Sequence, residues 1–134
     1  MLIQAGCRPV SFPGAGLADF ETPLPHAYKV YRASAHHIKV MSGDGNVVIS
    51  PKVVELGHND DFIIAKQSHL RRRSPGNPSD MYEEPDPGVF SFWIIDLRQS
   101  ETFGPLTEDE FAAKRKALEV PEAVILHDAY DYSP

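Results

Sequence analysis

The sequence predicts an α+β fold, an antiparallel meander sheet of five or six strands with one C-terminal helix packed on it. Three observations lead there. Runs of β-branched and aromatic residues recur at roughly ten-residue spacing, with Gly-, Asn- and Asp-rich turns between them. Residues 89–97 are apolar almost throughout, the composition of a strand with most of its surface buried. Beyond that run, Thr107 and Glu110 form a capping box, which fixes a helix start. Successive strands pair by default, and strands followed by a helix belong to the α+β class.

The elements follow in order. Residues 28–33 alternate, with Tyr28, Val30 and Arg32 on one face and Lys29, Tyr31 and Ala33 on the other. Residues 37–41 place Ile38 and Val40 together, against His37, Lys39 and Met41. The turn Ser42-Gly43-Asp44-Gly45-Asn46 leads into residues 47–49. Pro51 interrupts, and a strand resumes at residues 53–56. A second turn, Gly57 to Asp61, leads into residues 62–66. After residues 89–97, Thr102-Phe103 offers a short returning edge, which Gly104-Pro105 should break.

The helix over residues 108–118 carries several consistent signals. Leu106 before the cap and Phe111 form a hydrophobic staple. Glu108, Asp109 and Glu110 face the positive end of the helix dipole, and Lys114, Arg115 and Lys116 lie toward its negative end. Pro121 bounds the helix on its far side. Phe111 and Leu118 are expected against the sheet, and residues 123–126 are a last candidate edge strand.

Two segments lack periodicity. Residues 1–25 hold Pro9, Pro13, Gly14, Gly16, Pro23 and Pro25 and read as an extended arm, leaving residues 26–134 as a single domain. Residues 68–88 bury no face and read as a mobile loop inside that domain.

The formal charge of −6 argues against a nucleic-acid binder. It is unevenly spread: residues 101–134 carry eight acids and three bases. A single cysteine excludes an internal disulfide and a Cys-cluster metal site. No stretch reaches the roughly 18 apolar residues of a membrane span. Residues 2–7, ending Ala5-Gly6-Cys7, resemble the end of a bacterial lipoprotein signal, so Cys7 is a candidate lipidation site. Gln4 and the missing apolar stretch upstream depart from that pattern. With Cys7 lipidated the protein belongs to the cell envelope, held by its lipid alone. Otherwise it is cytoplasmic.

No assembled catalytic pattern emerges. The histidines are His26, His36, His37, His58, His69 and His127, and none forms a pair at ligand spacing. His58 beside Asn59, Asp60 and Asp61 reads first as turn chemistry. Asp96 follows the most apolar strand, where it is expected either on the outward face near the strand end or tying down the turn at residues 98–101. An enzyme would need Asp96 or Asp60 to meet a histidine in a cleft. Arg71, Arg72 and Arg73, with Tyr82 nearby, make a candidate partner-binding patch, since Arg and Tyr are favoured at interface centres.

Three blocks also carry a family resemblance: residues 59–67 (NDDFIIAKQ), residues 93–96 (WIID), and residues 104–111 (GPLTEDEF) with Lys114-Arg115-Lys116. This succession, across roughly residues 57–121, resembles the DUF3997-type group of small uncharacterised bacterial proteins, many of which begin with a lipoprotein signal. The resemblance implies a fold and an envelope location, and no activity. The expected function is a non-enzymatic binding protein acting through a protein–protein surface, without cofactor or metal. One concrete form is an immunity or antidote protein whose partner is a toxin. The alternative is an accessory envelope lipoprotein without such a partner.

Overall fold

The computed structural model describes residues 19–132. It contains β1 (Phe20–Pro23), β2 (Lys29–Ser34), β3 (His37–Met41), β4 (Val47–Ile49), β5 (Val53–His58), β6 (Phe62–Arg72), β7 (Glu83–Asp96), β8 (Glu101–Leu106), α1 (Glu108–Leu118) and β9 (His127–Asp128). The fold is α+β, with antiparallel pairing throughout. The strands form two sheets where the sequence suggested one, ordered β1-β2-β3-β4 and β8-β7-β6-β5-β9.

The reason for two sheets lies in β6 and β7. Consecutive residues on a strand face opposite sides, and here both sides are apolar. Ile63, Ala65 and Ile95 join a core with Val30, Ile38, Val40 and Ile49 of the first sheet. Phe62, Ile64, Phe92 and Ile94 join a second core with Phe111, Val120 and Val124. A central sheet apolar on both faces needs two covers, and the four-stranded sheet and α1 supply them. Pro51, without an N–H, lies between β4 and β5, where the chain passes from one sheet to the other.

The helix forms as its sequence dictates. Thr107 Oγ1 accepts from Glu110 N at 3.1 Å, and Glu110 Oε1 accepts from Thr107 N at 2.9 Å. Phe111 stacks on Phe92 with centroids 4.9 Å apart, and Leu106 and Leu118 pack on the same cluster. Arg115 then donates to the carbonyls of Pro121 and Val124 at 3.0 and 2.7 Å. That bond helps hold residues 121–126 irregular, and the expected strand at 123–126 is replaced by the two-residue β9 beyond it. The C-terminal segment crosses β5 at Gly57, where an added Cβ would stand 2.0 Å from the Ile125 carbonyl oxygen.

Three other expectations are corrected. Part of the N-terminal arm is folded: β1 pairs with β2, and Phe20 and Leu24 are buried in the first core. Gly104-Pro105 does not end the strand. Phe92 opposes Leu106 and Ile94 opposes Phe103, so the extra residue is absorbed as a bulge within β8. Residues 68–88 are in part a paired extension of the β6–β7 hairpin, with Leu70 opposite Pro85, Arg71 opposite Glu84 and Arg72 opposite Glu83. Only residues 73–82 form its connecting loop. Backbone pairing, with ion pairs from Arg71 to Asp86 and from Arg73 to Asp80 across the hairpin, holds this polar sequence as strand without burying a face. Residues 1–18, including Cys7 and most of the expected arm, lie outside the described residues.

Candidate partner-binding surface

The loop of the β6–β7 hairpin is built by its arginines. Arg72 Nη2 donates to the carbonyls of Asn77 and Asp80 at 2.7 and 2.8 Å, closing the loop from within. Arg73 forms a two-pronged pair with Asp80, Nε to Oδ2 and Nη2 to Oδ1, both at 3.0 Å. These bonds hold the Asp80 carboxyl down at about 2, with the Arg73 contact the main cause. Asn77 Oδ1 accepts from Ser79 N, and Asp80 Oδ1 accepts from Tyr82 N, the local bonding that makes these residues loop formers. Arg71 pairs with Asp86 at 3.4 Å.

The expected arginine–tyrosine patch is therefore divided. All three guanidiniums are engaged within the hairpin, with Asp80, Asp86 and loop carbonyls rather than with Glu83 or Glu84. Tyr82 is 47% exposed, its ring 4.7 Å from the Arg73 guanidinium. Met81 beside it is 67% exposed, a residue that sequence reasoning passed over. Among the described residues, Glu83 and Glu84 make no ion pair.

The hairpin faces the β2–β3 turn across a cleft of about 260 Å³ lined by Ser34, His36, His37, Met81, Tyr82 and Glu83. The His36 and Tyr82 rings meet edge to face, with centroids 5.9 Å apart. Burial and the Lys52 ammonium, 3.4 Å from His36 Nδ1, hold this imidazole below its ordinary pKa. An open groove of about 620 Å³ shares His37 and Glu83 with the cleft and adds His69, Leu70, Trp93 and Pro105. In it, Trp93 Nε1 donates to Gln67 Oε1 at 2.9 Å, and Gln67 Nε2 donates to the Ser50 carbonyl and hydroxyl at 2.8 and 3.0 Å. His69 Nε2 lies 2.6 Å from Ser91 Oγ.

The catalytic alternatives meet different surroundings. Asp96 is fully buried, and its oxygens accept from Arg98 N, Nε and Nη2 at 3.0, 3.0 and 3.1 Å. It ties down the β7–β8 turn, and the Arg98 bonds hold its pKa below the usual carboxylate range. The Asp60 carbonyl lies 3.1 Å from His26 Nε2, while His58 packs on Tyr132, with centroids 5.8 Å apart. Burial lowers the His58 pKa. Among the described residues, no three or more of His, Cys, Asp and Glu gather as a metal site, and no helix is long and apolar enough to cross a membrane.

No curated protein and no solved structure matches the chain. The family described as protein of unknown function (DUF3997) matches residues 25–130, from the turn after β1 to the end of β9 and beyond, and the chain belongs to that family.

Proposed function

We propose that this chain is a non-enzymatic binding protein that acts through a protein–protein surface centred on the tip of the β6–β7 hairpin. One observation carries the reading: the loop spends its cations on its own closure and turns Met81 and Tyr82 outward. A loop fixed by its own bonds loses little further freedom on association, and an exposed aromatic beside a thioether suits an interface centre. The uncommitted Glu83 and Glu84, with the net charge of −6, favour a basic partner. An immunity or antidote protein bound to a toxin is one concrete form.

Affinity purification of the chain with its native N-terminus, from cells that express it, tests the reading. A stoichiometric protein is expected with the wild type and is lost with Met81→Asp. Recovery of the chain alone, with a diacylglycerol mass on Cys7, supports the accessory lipoprotein instead. A partner retained by Met81→Asp and by Tyr82→Ala would place the interface elsewhere.

A further inference from the structure

The groove beside the hairpin carries an inference that rests on the protein-binding reading. We propose that it takes a basic side chain, lysine or arginine, from the partner protein, set between the Trp93 indole and the Glu83 carboxylate.

The lining argues this by elimination. The Trp93 N–H is taken by Gln67, and the Gln67 amide nitrogen is taken by Ser50. His69 is engaged with Ser91. Beside the Trp93 indole, the rest of the lining is Ser50, Pro51, Leu70, Pro105, His37 and Glu83, of which Glu83 alone carries a carboxylate. No lysine or arginine lines the groove; nearby, Arg71 and Arg73 are paired with Asp86 and Asp80, Arg72 is bonded to the Asn77 and Asp80 carbonyls, and Lys52 lies 3.4 Å from His36 Nδ1. An anionic ligand would find no lysine or arginine among the lining residues. A cation finds an aromatic face and a carboxylate that has no ion pair among the described residues.

The chain has one tryptophan, so its indole N–H resonance reports this groove without ambiguity. The full chain is titrated with blocked tripeptides carrying arginine, lysine or glutamine at the centre. The arginine and lysine peptides are expected to shift the Trp93 resonance saturably, and the glutamine peptide is not. Glu83→Gln should weaken binding about three- to tenfold, and added salt should weaken it in the wild type. Glu83 is exposed, so the amide spectrum of the variant should otherwise match the wild type. An equal response to the glutamine peptide, no saturable shift with the basic peptides, or unchanged binding by Glu83→Gln overturns the proposal. The two readings fail separately. A partner lost by Met81→Asp but held undiminished by Glu83→Gln overturns the groove alone. Basic peptides that bind at Trp93 in a chain capturing no protein overturn the partner reading alone.

Discussion

Replacing Gly104 by alanine drives a methyl group into the only tryptophan of the sequence. The new Cβ would lie 2.4 Å from Trp93 Cε3 and 2.5 Å from Cδ2, whereas carbon atoms in contact sit about 3.5–4.0 Å apart. The indole must therefore shift by about 1 Å or more, or β8 must lift away. The ring is not free to shift, because its N–H is tied through Gln67 to the carbonyl and hydroxyl of Ser50. Overpacking of this kind costs about 1–3 kcal/mol, and a lost Trp93–Gln67 bond adds about 0.5–1.5 kcal/mol. With a urea dependence of about 1–3 kcal/mol per molar, the unfolding midpoint should fall by about 1 M. Tryptophan emission is the probe, and it should change in the native baseline as well as in the midpoint. The clash is with the six-membered ring, so the penalty should shrink in a Trp93→Leu background, with a coupling of about 0.5–3 kcal/mol. A Gly104→Ala protein with the wild-type midpoint and emission, or an undiminished penalty beside Leu, would refute the reasoning.

Other consequences are as specific. Gly57→Ala meets the Ile125 backbone at 2.0 Å, which no rotamer change relieves; it should cost more than about 2 kcal/mol and raise amide exchange at His127 and Asp128. Thr107→Ala removes one half of the capping box and should cost about 0.5–2 kcal/mol in thermal or chemical unfolding. Acid should loosen the hairpin tip. Asp80 has its folded pKa lowered from 3.8 to about 2, so its contribution is present above 3.8 and is lost as pH falls toward 2. The Tyr82 amide, which donates to Asp80, should titrate with its midpoint near the folded value of about 2, and Asp80→Asn should abolish the titration.

The sequence was most legible where local chemistry and burial agree. Thr107, Glu110, Leu106 and Phe111 are close neighbours in the chain, and their signals specify the helix start without reference to the rest of the fold. The alternation of Val30, Arg32, Ile38 and Val40 likewise placed the inner face of the first sheet, where all four are buried. The doubling of the sheet was written in the unbroken run Phe62 to Ala65, whose residues divide between two cores. A continuous apolar run shows that both faces are covered, but not by what. The hairpin extension was hidden because residues 70–72 and 83–85 carry no alternating apolar pattern; backbone pairing and arginine bonds to Asp86, Asp80 and the loop carbonyls hold it, at separations composition cannot reveal. The strand β1 escaped for a related reason: Phe20 and Leu24 are isolated apolar residues in a proline-containing segment, and they are buried in a core built mostly by residues distant in the chain. Of the candidate site, Tyr82 could be read from the chain. The inward commitment of Arg72 and Arg73, and the groove joining His37, Glu83 and Trp93, needed the fold.

The proposed partner should meet the tip of the β6–β7 hairpin and its facing turn. Amide hydrogen exchange of the captured complex, compared with the free chain, tests it most directly. Protection concentrated at residues 81–84 and at His36 and His37 is the expected result. Protection confined to α1 or to the β4 edge, with those residues unchanged, would contradict it.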